Sequence, residues 1–123
     1  MTSKNVLLIG LHQSAVDFSK WPGLSPESLV DAFGEVKARL EDAGFEPTWC
    51  LIRDVSRASD EVVAAIGQSP PDIISIGAGV RADPDHLLLF EELVNTCHAH
   101  APNAKFAFNK DPPSTVEAVL RWA

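Results

Sequence analysis

The feature that most constrains this chain is a fourfold alternation of short apolar runs with longer amphipathic segments. "NVLLIGL" (5–11) and "IISIG" (73–77) are nearly continuous hydrophobic stretches, as expected of strands buried on both faces. "FEPTWCLI" (45–52) and "AKFAF" (104–108) read as two further strands, and Pro47 suits a strand start or a sheet edge better than a central position. Between them lie segments with helical start signals. Ser25 is a natural N-cap, Pro26 takes the first helical position and Glu27 sits where the helix dipole favours an anion. Leu29, Phe33, Val36 and Leu40 then mark one apolar face, and Gly44 stops the helix. "SDEVVAAIGQS" (59–69) reads as a second helix capped by Ser59. A third begins at "DPDH" with Asp83 as cap and Pro84 opening it, and "STVEAVLRWA" is a closing helix capped by Ser114.

Alternation of this kind implies parallel strands joined by right-handed crossovers, with helices on both faces of the sheet. The expected fold is α/β: a single small doubly wound parallel four-stranded sheet, order 2-1-3-4, a flavodoxin-like three-layer sandwich over residues 1–123. That order places a crevice at the carboxyl ends of strands one and three, where their connections leave on opposite faces. Two segments should border it, the long connection "GLHQSAVDFSKWPGLSPESL" (10–29) and "GAGVRADPD" (77–85), with "NKDPP" beside them.

The chain has 123 residues, 46% hydrophobic and 22% charged, enough to bury a core without disulfide or metal staples. Its formal charge of -7, with only ten scattered Lys and Arg, argues against nucleic acid as a partner. No apolar run approaches a membrane span, and the start "MTSKNVLLIG" lacks the apolar core of a signal peptide. Two cysteines, Cys50 and Cys97, make no disulfide framework, so the expected location is cytoplasmic.

The long connection is expected to act as a lid or binding loop, because so compact a domain normally needs only a few residues there. His12, Ser14 and Asp17 leave strand one together, and histidine is the side-chain type best suited to general acid or base work near neutral pH. Trp21, with Pro22 and Gly23, offers a stiff apolar plug. The competing reading is that Trp21 and Phe18 pack over helices while Asp17 caps a turn. Gly77, Ala78 and Gly79 allow close backbone approach to a ligand, and Arg81 offers a fork matched to carboxylate or phosphate; the competing reading is a plain tight turn. "GAGVRA" fits the dinucleotide pattern only nominally, since the helix restarts after it and it follows the third strand. Asn109 leaves strand four where it can hydrogen-bond a ligand, or simply begin a turn with Asp111 and the prolines. The interval from Cys50 to Arg57 is one residue too long for a phosphatase loop and holds no glycine. His86, His98 and His100 are not spaced to share a metal, so no cofactor and no metal are expected.

In length and alternation the chain resembles a response-regulator receiver domain, and Lys110 after the last strand adds to the likeness. The acidic pair and phosphate-accepting Asp that the resemblance requires are replaced by Leu11-His12 and Gly77-Ala78-Gly79. The hydroxyl-rich phosphate loop of flavodoxins is also missing. "VDFSKWPGLSPE" and "IGAGVRADPDHLLLFEELVN" are similar to a group of small bacterial hypothetical proteins, a resemblance that implies no activity. The first functional expectation is a cofactor-independent enzyme of lyase or isomerase type acting on a small anionic or carbonyl molecule. In it His12 and Asp17 are catalytic, and Ser14, Trp21, Gly77, Ala78, Gly79, Arg81 and Asn109 bind the ligand. The alternative is a non-catalytic ligand-sensing or protein-interaction module. The apolar breadth of "HLLLFEELV" predicts a homodimer or higher homo-oligomer.

Overall fold

A computed structural model of the protein describes residues 3–123. Four strands, β1 (Asn5–Leu11), β2 (Glu46–Ile52), β3 (Ile73–Ile76) and β4 (Lys105–Phe106), form one all-parallel sheet in the order β2-β1-β3-β4. The pairing sets Leu8 opposite both Trp49 and Ser75, and Ile73 opposite Lys105. Helices α1 (Pro26–Asp42) and α5 (Thr115–Trp122) pack together over one face, while α2 (Ala58–Gln68) and α4 (Leu87–His100) cover the other. The expected doubly wound sandwich is therefore the observed one, with Pro47 on an edge strand.

Strand alternation divides the core into two unequal layers. Leu7, Ile9 and Leu11 point toward α2 and α4 and join Ile52, Val62, Ile74, Ile76 and Leu93 in the larger layer. Val6 and Leu8 point the other way, meeting Val36, Leu40, Ile73, Ala118 and Val119. On this thinner side the side chains dwindle toward the carboxyl ends of the strands. After Val6 and Leu8 comes Gly10, after Ile73 come Ser75 and Gly77, and Ala107 follows directly on β4. The bare sheet there makes room for a cavity.

Local start and stop signals mostly act as read from the sequence. Ser25 and Ser28 form a reciprocal capping box at α1, and Gly44, at φ +93°, takes the left-handed conformation that ends the helix. Asp83 caps the 3-10 turn 84–86 that leads into α4. Four details differ. Ser114 precedes α5 (Thr115–Trp122) but makes no capping hydrogen bond to it; Asp111 caps the 3-10 turn 112–114 that leads in. Ser59 does not cap α2, which starts one residue earlier behind a 3-10 turn capped by Asp54; its hydroxyl instead donates to Glu92 and meets Thr96 on α4. A single helical turn, α3 (Ala78–Arg81), forms inside the segment read as a glycine loop. The fourth strand shrinks to two residues, Lys105 and Phe106, paired with Ile73 and Ile74.

Candidate functional site: a lidded cavity at the carboxyl ends of the strands

The cavity holds about 220 Å³ and opens where the topology predicts a crevice. Gly10 and Gly77 form its floor. A methyl group on Gly10 would stand 3.4 Å from the Trp49 ring and 3.7 Å from Phe33, so a larger residue would intrude into this space. One wall is the inner face of α1, carrying Leu29, Ala32, Phe33 and Val36. Trp49 of β2 closes the side. Its indole N–H donates to the Phe33 carbonyl at 3.0 Å and its ring lies 4.5 Å from that of Phe33. The opposite wall is Asn109, Pro112 and Thr115, and the roof is Val16, Trp21 and Leu24 from the long connection.

That connection is ordered by its own side chains into two 3-10 turns, 13–15 and 18–20. His12 caps the first, its Nδ1 accepting the Ser14 N–H at 3.1 Å and lying 2.8 Å from the Ser14 hydroxyl. Asp17 caps the second, accepting from both the Ser19 N–H at 3.1 Å and the Ser19 hydroxyl at 2.6 Å. These bonds hold the Asp17 carboxyl below its usual 3.8, the hydroxyl bond contributing most. The turns bring Lys20 across the crevice to the segment after β3. Its ammonium lies 3.1 Å from Asp83 Oδ2 and also pairs with Asp85. Asp83 is buried, accepts the Asp85 N–H at 2.9 Å and stands 3.5 Å from the His86 ring. Its pKa is lowered first by the Asp85 N–H and then by Lys20. The ion pair thus ties the roof to the far rim.

Of the residues singled out in the sequence, Trp21, Gly77, Ala78, Gly79 and Asn109 line the cavity. His12, Ser14, Asp17 and Arg81 are not part of its lining. Arg81 donates from Nη2 to Asn109 Oδ1 at 2.8 Å, and its guanidinium carbon sits 5.6 Å from the centre of the Phe108 ring. Asn109 in turn donates from Nδ2 to Thr115 Oγ1 at 2.8 Å, and the Thr115 hydroxyl donates to the Pro112 carbonyl at 2.7 Å. The sequence reading missed Leu24, Phe33, Trp49 and Thr115 as lining. It also missed Lys20 as the tie. A signal for the cavity was present in the small residues Gly10, Ser75, Gly77 and Ala107, which share one sheet face once the register is known.

Among the described residues no titratable side chain lines the cavity; besides the two indoles, its polar side chains are those of Asn109 and Thr115. Among the described residues no group of three or more His, Cys, Asp or Glu is placed to hold a metal ion, and no helix is long and apolar enough to cross a membrane. Set against protein-family models and curated proteins, the sequence matches none.

Proposed function

We propose that this protein is a small-molecule-binding module that takes a compact, mostly apolar ligand into the cavity under the 12–24 lid, and that copies associate through α4. The observation that carries the first part is the lining itself. Leu24, Leu29, Phe33, Val36, Trp21 and Trp49 surround a space of about 220 Å³ with no charged group in the wall. An apolar ligand releases water there at little cost, whereas an anion would surrender its hydration with no cation to replace it. Small-molecule sites are typically concave, apolar and fitted with a few polar groups, as here.

The enzymatic reading is weakened by the way His12 and Asp17 are used. With Nδ1 accepting from the Ser14 backbone, the neutral imidazole carries its proton on Nε2. The basic nitrogen is the capping one, so acting as a base would sacrifice the turn. One oxygen of the Asp17 carboxylate, Oδ1, is likewise engaged by the Ser19 N–H and hydroxyl. Among small aromatic and aliphatic compounds, ligands should raise the melting temperature and change the emission of Trp21 and Trp49, with no product formed. A turnover abolished by His12→Ala would reverse this assignment in favour of acid-base catalysis.

A further inference from the structure

The second polar feature of the cavity is chemically specified more tightly than its size. Asn109 is held between two partners that together leave one orientation for its amide. Arg81 is purely a donor, so the atom 2.8 Å from its Nη2 has to be the carbonyl oxygen. On the other side, Thr115 directs its hydroxyl proton to the Pro112 carbonyl at 2.7 Å, so toward Asn109 it offers a lone pair and receives the Nδ2 proton. Donation therefore runs one way, from Arg81 into Asn109, from Asn109 into Thr115 and from Thr115 into the backbone. Among the described residues no further hydrogen bond reaches this amide. One N–H of Nδ2 and one lone pair of Oδ1 remain unused on a residue that lines the cavity.

From this arrangement we infer that Asn109 is a specificity-determining residue that reads a single neutral oxygen, hydroxyl or carbonyl, on an otherwise apolar ring-bearing ligand. The inference rests on the cavity being the ligand site. A hydroxyl can accept the free N–H and donate to the free lone pair, and a carbonyl can accept the N–H. An alkyl group in the same place displaces water from both and pairs with neither. Ring size follows from the volume, since a protein cavity of about 150 Å³ admits a benzene ring and this one is larger. Flat rings also suit the facing surfaces of Trp49, Phe33 and Trp21. Arg81 acts as a positioning residue. It is not part of the cavity lining, yet it fixes the orientation of the amide, and the Phe108 ring lies 5.6 Å from its guanidinium carbon.

The test uses two probes of nearly the same shape, p-cresol and p-xylene, titrated into the whole protein while the amide signals of Gly10, Gly77 and Gly79 are followed by NMR. For the native protein both should bind. Asn109→Leu should lower the ratio of the p-xylene to the p-cresol dissociation constant about tenfold, the loss expected for one hydrogen bond. Arg81→Met should lower the same ratio, although it changes no lining atom, whereas Arg81→Lys, which still donates, should retain it. Continued p-xylene binding verifies that each variant is folded, and if Asn109→Leu fails to fold, the Arg81 variants decide. A ratio unchanged in Asn109→Leu and Arg81→Met overturns the role of Asn109 while leaving the cavity as the site. Failure of both probes to move the three glycine amides in the native protein overturns both readings.

Discussion

Single residues in this molecule are committed by what their neighbours leave them to do. His12 and Asp17 look like an acid-base pair in the sequence, but each is occupied with the backbone two residues on. The same short-range hydrogen bonding makes histidine and aspartate good caps, and a linear sequence does not distinguish a cap from a catalyst. Cys50 and Cys97 show the opposite case, where burial alone decides. Both lie in the larger core layer, and desolvation pushes their thiols up to about 11 and about 12. At pH 8 only roughly one Cys50 side chain in a thousand would be thiolate. Iodoacetamide should leave both cysteines unmodified in the native protein and label both in denaturant, as mass spectrometry would read directly. Labelling of either at the native rate of a free thiol would contradict the buried placement.

At the scale of elements, the connection after β1 is the unusual part. Its length could be inferred as a lid from the sequence, and its aromatic contribution, Trp21, does roof the cavity. What holds it closed is Lys20 against Asp83 and Asp85, a contact 63 and 65 residues apart in the chain and so invisible to local pattern. Replacing Lys20 with Met should loosen the roof while sparing the fold. Acrylamide quenching of Trp21 fluorescence, read in a Trp49→Phe, Trp122→Phe background, should rise severalfold, and faster amide exchange at Trp21 and Leu24 should accompany it. Molar salt should act in the same direction on the native protein, because the Lys20 side chain is partly exposed and screened. The pH range follows from the direction of the shifts. Asp83 is held below 3.8, so its contribution is present above that value and fades as pH falls through its lower folded value. Lys20 is raised above 10.5, first by Asp85 and then by Asp83, so its contribution is complete below 10.5 and fades only as pH climbs through the higher folded value. Quenching should accordingly stay flat across neutral pH and increase toward either extreme; a rise within the neutral range would contradict the Lys20 tie as its cause.

For the whole molecule, the open question is whether it works as a single copy. The breadth of the apolar face on α4 predicted a second covering surface. Much of that face is used internally: Leu89 and Leu93 are buried, and Phe90 and Val94 pack partly against the same layer. Leu87 and Leu88 remain, 64% and 77% exposed. If copies associate there, as proposed, each interface gains two leucines from each side. The pair Leu87→Lys and Leu88→Lys should then weaken association by at least about a hundredfold, each buried leucine contributing about 2 kcal/mol. Sedimentation equilibrium at micromolar concentration is the measurement. A native protein that sediments as a monomer at all concentrations would end this part of the proposal.

The sequence by itself determined the layered α/β architecture, the strand order and the end of the sheet at which a site would lie. Those features depend on periodicity, on capping residues and on the fixed handedness of crossovers, all of which are local or general. It also marked the long connection that roofs the cavity, because excess chain length is countable. The character of the opening depended on the tertiary structure. Gly10, Ser75, Gly77 and Ala107 become one bare surface only after three strands are aligned in register. Lys20, Arg81 and Asn109 acquire their roles only from partners far away in the chain. An anion-holding crevice and an apolar pocket can be written with the same residues in linear order. The difference lies in which side chains face inward and which are already spent on one another, and packing decides both.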